Sequence, residues 1–320
     1  MFFPLRFSLL LLLALVPVWT SAQGRTPPNE TISIRTSEGT ELAFDISPDG
    51  KTIVFDLLGQ LWLIPARGGK ARPLTDGVRD VAEDNDPAFS PDGKRMVFRG
   101  ERNGRTGLWL LDLASGAVRQ LTQLPEPIGE HADAAWSPDG RSIAFTNIVP
   151  ADLAASRPRR LALMVLDVDS GATREVVISG LERPRVASPV WIRDGKEIAV
   201  VVRKTRTERS GRVWSVPASG GQATALTDES IDVQAPVFSP DARRIAFLAK
   251  DADRRVQVWT KELEKQPAVR LTNNTDVTAT RVRWLPNSNE VLYSADGRMW
   301  KTAASGCRSG RHAGASSANS

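Results

Sequence analysis

The chain is patterned in short β-type runs. Ile53-Val54-Phe55, Met96-Val97-Phe98, Ile143-Ala144-Phe145 and Ile245-Ala246-Phe247 are apolar centres of alternating segments. Such runs predict strands buried on both sides. Each follows a turn that ends another strand. Ile46-Ser47-Pro48-Asp49-Gly50-Lys51 recurs from Phe89 to Lys94 and from Trp136 to Arg141. Looser copies begin at Trp191, Phe238 and Trp284. Pro presets φ for the turn, Asp bonds its own backbone, and Gly accepts positive φ. The five intervals between the six copies are 43, 47, 55, 47 and 46 residues. Periods in the forties are those of four-stranded propeller blades.

A third strand carries Trp62, Trp109, Trp214, Trp259 and Trp300, with Met164 in the third copy. One Trp per repeat on such a strand predicts core packing rather than a sugar platform. Twelve residues beyond each anchor comes an apolar residue, followed by Thr in Leu74-Thr75, Leu121-Thr122, Leu226-Thr227 and Leu271-Thr272; Val176 stands there in copy three. No competing helical period appears. The predicted fold is all-β: a six-bladed β-propeller of four-stranded antiparallel blades. In the sixth copy the expected Leu-Thr is His312-Ala313, and residues 307–320 contain no large apolar side chain. A segment of that kind is expected to be disordered. The alternating Thr31–Thr36 run is then expected to close the sixth blade as its fourth strand.

The ends set the compartment. Arg6, the apolar run Phe7–Val16, Pro17 and the small residues Thr20-Ser21-Ala22 read as a secretory signal peptide cleaved after Ala22. The run is about half the roughly 20 residues a spanning helix needs, and no membrane span is expected elsewhere. The predicted layout is 1–22 signal peptide, 23–301 propeller and 302–320 disordered or aberrant tail, giving a periplasmic or secreted monomer. Losing Arg6 lowers the net charge from +5 to +4, with both signs interspersed, which does not predict a nucleic-acid partner. Cys307 is the only cysteine, so no intramolecular disulfide exists and stability must come from the core.

The repeat resembles the SPDG-type propeller repeat of TolB, of the tricorn protease and of dipeptidyl peptidase IV-like enzymes, over residues 40 to 301. The run Ser37-Glu38-Gly39-Thr40, then Asp45 to Lys51, then Ile53 to Gly59, resembles the start of secreted proteins in which such a propeller precedes a metal-dependent amidohydrolase domain. That resemblance implies a catalytic domain beyond residue 320. It also supplies an alternative function, the truncated gating or docking propeller of a secreted amidohydrolase or peptidase.

The residues themselves predict no catalysis, metal or cofactor. His131 and His312 are the only histidines, and neither a metal-binding His-Glu-x-x-His pattern nor a Gly-x-Ser-x-Gly elbow occurs. The turn acids Asp49, Asp92, Asp139, Asp194 and Asp241 recur once per blade, as turn caps do. The loops between second and third strands vary in length and share a face with the inter-blade links, which is where a scaffold places binding residues. The links are acidic and the outer loops of blades three and four are basic. On that face Asp84, Asp86, Asp133 and Asp232, with Arg160, Arg206 and Arg209, are the candidate binding residues. The predicted function is a non-catalytic scaffold for a protein or peptide ligand.

Overall fold

The computed structural model describes residues 43–75, 82–102, 105–122, 134–149, 160–182, 184–203, 211–228, 232–241, 243–263, 267–273, 279–295 and 298–305. All lie within one compact unit, residues 38–320; a second unit, residues 1–37, falls outside the described residues, and with it the expected signal peptide and the Thr31–Thr36 closing strand.

Six antiparallel sheets follow one another along the chain, each ordered as its strands occur in sequence. Blade one is Phe44–Ile46, Thr52–Leu57, Gln60–Pro65 and Arg72–Pro73; blade two is Ala82–Phe89, Arg95–Arg102, Arg105–Asp112 and Val118–Gln120. Blade three is Ala134–Trp136, Ser142–Val149, Arg160–Asp167 and Thr173–Glu175. Blade four is Arg185–Ile192, Glu197–Arg203, Gly211–Pro217 and Thr224–Ala225; blade five is Gln234–Phe238, Arg244–Lys250, Val256–Glu262 and Val269–Arg270. Blade six has three strands among the described residues: Ala279–Trp284, Glu290–Ala295 and Arg298–Ala303. The last strand runs past the expected boundary at 301. Thr302 pairs with Val291, and Ala304 is buried with its N–H bonded to Asn289. Small residues suffice there because the partner strand supplies the apolar surface.

The first strands form the inner ring. Trp136 Nε1 donates to the Ala88 carbonyl (3.1 Å), Trp191 Nε1 to Ala135 (3.0 Å) and Trp284 Nε1 to Val237 (3.0 Å), each reaching back to the preceding blade. Phe89 N–H donates to Asp45 (2.9 Å), and Arg283 pairs with Asp45 at 3.3 Å, joining blade six to blade one. At that seam Phe44, Ile53 and Phe55 pack with Leu285, Leu292 and Met299. The ring is therefore closed through the inner faces of blades one and six.

The turn motif does more than reverse the chain. Ser47 Oγ donates to Asp49 (2.6 Å), Asp49 accepts Lys51 N–H (3.0 Å), and Ser47 Oγ accepts Thr52 N–H (3.0 Å). Ser90 with Asp92, Ser137 with Asp139 and Ser239 with Asp241 repeat this. The hydrogen bond from the Ser hydroxyl is the main cause that holds the carboxyls of Asp49, Asp92, Asp139 and Asp241 below the usual range. Gly50 has φ +71, and a Cβ there would stand 3.3 Å from Pro286 of blade six. Gly93 meets Pro48 in the same way at 3.5 Å. The motif thus packs the proline of one blade on the glycine of the next. Arg193-Asp194-Gly195 lacks the Ser and Pro and forms a 3-10 turn instead, with Asp194 at φ 55.

The Leu-Thr signal is a strand latch. Leu74 N–H donates to Leu61 carbonyl (2.7 Å), while Thr75 Oγ1 accepts Leu61 N–H (3.0 Å). Thr122, Thr227 and Thr272 accept Leu108, Val213 and Val258 N–H alike. Thr272 also donates to the buried Gln257 at 2.7 Å. Thr272→Val should cost about 1–3 kcal/mol by taking the acceptor from a buried N–H, and Thr272→Ser should restore most of it. Urea titration of both variants reads this; coincident midpoints for Val and Thr would remove the latch from the account.

Candidate binding site at the channel mouth

Aligning the six repeats on the strand-ending apolar residue isolates two positions on the inner ring. One residue before it stand Asp45, Ala88, Ala135, Val190, Val237 and Arg283. Three residues before it stand Ala43, Asp86, Asp133, Ser188, Ala235 and Arg281. Among the described residues the charges therefore gather on blades six, one and two, and blades four and five are neutral at both positions.

Bulges aim the second set. The pairing of first and second strands shifts between Asn85 and Ala88, between Ala187 and Val190, and between Gln234 and Val237. Each shift holds a proline (Pro87, Pro189, Pro236) preceded by a residue of positive φ: Asp86 at 51, Ser188 at 48 and Ala235 at 47. Proline has no N–H for the ladder, so it belongs at a bulge. In blade two the bulge turns Asp86 toward blade six, where it pairs with Arg281, and Arg99 Nε lies 3.7 Å from its other oxygen. That contact passes over blade one, where the equivalent residue is Ala43.

Asp56 supports the arrangement from the end of the second strand of blade one. Its two oxygens accept Ala43 N–H (2.8 Å) and Asp86 N–H (3.2 Å). Burial, reinforced by the nearby Asp86 charge and opposed by these N–H donors and Arg281, pushes its carboxyl up to about 6. Burial also lifts Asp45 above the usual carboxylate range against the pull of Arg283. The side chains of Asp45, Asp86, Arg99, Arg281 and Arg283 keep between 20% and 28% of their surface in contact with solvent, so this is a partly open polar arc. Beside it the two-residue hairpin after Leu57 presents Leu58, 73% exposed at φ 53, and Gly59 carbonyl accepts Asp84 N–H at 2.9 Å. A bulky side chain in that backbone region is an outlier.

The sequence-predicted residues fall apart into different roles. Asp86 lies in the polar arc. Asp84 is fully buried: Arg102 Nη2 reaches its carboxylate at 2.6 Å, and the guanidinium lies over Phe98 and Trp109 at 5.4 and 5.6 Å. Asp84 is thus an internal charge, not part of an open face. Arg160 makes a two-pronged bond to Glu175, both at 2.7 Å, between the third and fourth strands of blade three. Asp232 is exposed beside buried Val233. Asp133, Arg206 and Arg209 lie outside the described residues. Sequence reading missed Asp45, Asp56, Arg99, Arg281 and Arg283; for Asp45 and Arg283 the signal was a charge where sister repeats carry Ala or Val. Among the described residues no group of His, Cys, Asp or Glu is arranged to hold a metal ion, and no helix is long and apolar enough to cross a membrane.

Comparison with known proteins agrees with this architecture. No curated protein matches the sequence. A TolB-type protein from Agrobacterium tumefaciens shares the fold at TM-score 0.63 and 21% identity, over 82% of this chain and 91% of that one. TolB from Acinetobacter baumannii follows at 0.61 and 18%, over 83% and 61% of the two chains. The tricorn protease gives 0.59 and 19%, over 81% of this chain and 25% of that one, so this chain spans under two thirds of the latter two. At such identities the likeness is one of fold. Residues 28–152 match the TolB beta propeller domain family, a stretch ending inside blade three, and the chain as a whole shares the six-bladed β-propeller fold of these proteins.

Proposed function

We propose that this protein is an exported, non-catalytic propeller that binds a protein or peptide segment at the channel mouth. The reading rests on one observation: among the described residues at the two aligned inner-ring positions, partly exposed charges of both signs gather on blades six, one and two. Folding alone does not require them, since blades four and five hold the same positions with Val, Ser and Ala. A peptide supplies matching chemistry, with backbone amides and charged side chains for the ion pairs and an apolar side chain for Leu58. Mixed charge fixes register and orientation more than raw affinity.

The test is selection from a displayed random-peptide library against the mature protein. Selected peptides should lose at least tenfold in affinity for Asp45→Ala/Arg283→Ala while binding Arg160→Ala, on the outer strands of blade three, unchanged. Peptides that ignore the inner-ring double variant would overturn the channel-mouth reading.

The alternative, a docking propeller of a secreted amidohydrolase or peptidase, is favoured by the tricorn likeness, in which the shared fold is a quarter of a longer protease. Resequencing through codon 307 discriminates. A continuation in another frame with Leu-Thr in register and His-rich motifs would support it, and stop codons in every frame would remove it.

A further inference from the structure

We propose that the contact of Asp56, Asp86 and Arg281 is a proton-sensitive lock on the propeller ring, and that the ring loosens at the junction of blades six, one and two. Asp86 leaves blade two, passes Ala43 and pairs with Arg281 of blade six, so blade one is spanned rather than merely flanked. Asp56 holds both ends of the spanned segment, through Ala43 N–H and Asp86 N–H. A second tie, Arg283 with Asp45, crosses the same junction, and Asp45 continues it to Phe89 N–H of blade two. Among the described residues, the Trp136, Trp191 and Trp284 indoles join blades three to two, four to three and six to five through neutral bonds to backbone carbonyls. Ion pairs concentrate where blade six shows three strands among the described residues.

The charged groups around Asp56 are Asp86 on the first strand of blade two and Arg281 on the first strand of blade six; Arg99 bears on it through Asp86. Two carboxylates crowd one guanidinium. With Asp56 protonated the repulsion with Asp86 is gone, and Asp86 has Arg281 and Arg99 to itself. With Asp56 ionised the cluster holds an extra buried negative charge. Because the folded carboxyl is raised from 3.8 to about 6, the stabilisation is fully present below the ordinary value and is lost as pH rises through about 6. A displacement of about two pH units corresponds to a change on the order of a hundredfold at most in the opening equilibrium.

Amide hydrogen exchange on the mature protein at pH 5 and pH 8, corrected for intrinsic rates, reads the lock. Protection of the Ala43, Asp86 and Phe89 amides should fall by up to about tenfold at pH 8, while Val176 and Leu226 in blades three and four should not follow. Asp56→Asn should abolish the difference. Should that variant misfold, Arg281→Gln tests the same lock: it should expose the three amides at pH 5 without touching blades three and four. Uniform loss around the ring, a difference that persists in Asp56→Asn, or unchanged protection in Arg281→Gln would overturn the proposal.

Discussion

Replacing Arg102 by Met while Asp84 remains should destabilise the folded chain by about 3–5 kcal/mol, the range for stripping a buried charge of its partner. Asp84 has no exposed surface, and its ion pair with Arg102 is 2.6 Å long with little solvent at either side chain. The guanidinium also covers Phe98 and Trp109, so the variant must be judged against packing as well as charge. Met keeps most of the apolar contact, which assigns the loss to the broken ion pair. The double variant Asp84→Leu/Arg102→Met should therefore recover most of it, since an apolar replacement of a buried ion pair is often neutral or better. Urea unfolding of the three variants gives the coupling. If the single and double variants lost the same amount, the pair would owe its effect to packing alone.

That pair also shows where sequence reading stops. In a regular strand residues i and i+2 share a face, so Asp84 and Asp86 read as two acids of one acidic link. The bulge between Asn85 and Ala88, with Asp86 at positive φ, breaks the alternation. One carboxylate enters the blade and the other meets the channel. What was legible came from local chemistry repeated in register: the Ser-Pro-Asp-Gly turn, the central Phe and the Leu-Thr step. Turn hydrogen bonds span two to five residues, and a sequence displays them directly. The latch joins residues 14 apart, so its spacing was visible while its donor was not. The polar arc lay out of reach for the same reason in stronger form, because Asp86 and Arg281 are 195 residues apart. Only superposing the repeats brings such positions together. The Trp roles divide similarly: the third-strand Trp residues pack as expected, whereas the indole bonds of Trp136, Trp191 and Trp284 between blades depend on how neighbouring sheets face each other.

Phe247→Ala should cost about 3–5 kcal/mol, as truncating a fully buried aromatic does. Phe247 is completely buried on the second strand of blade five, and its cluster includes Ala187, Ile192, Ala199, Val201 and Val213 of blade four. The other large clusters are likewise shared by adjoining blades: Leu248 and Val258 pack with Val282 and Tyr293, and Val54 and Leu61 with Met96 and Phe98. No blade owns a complete core. A cavity at Phe247 therefore weakens an interface, and the damage should spread around the ring rather than stay in blade five. Far-UV circular dichroism and tryptophan fluorescence should still report one coincident transition in the variant, at a lower midpoint. Phe247→Leu, which refills most of the volume, should lose much less. Two resolved transitions in Phe247→Ala would show that blades melt singly, and the shared clusters would then not be the source of cooperativity. A single transition would place the propeller's stability between its blades, which leaves the partly exposed charges of the inner ring available for recognition.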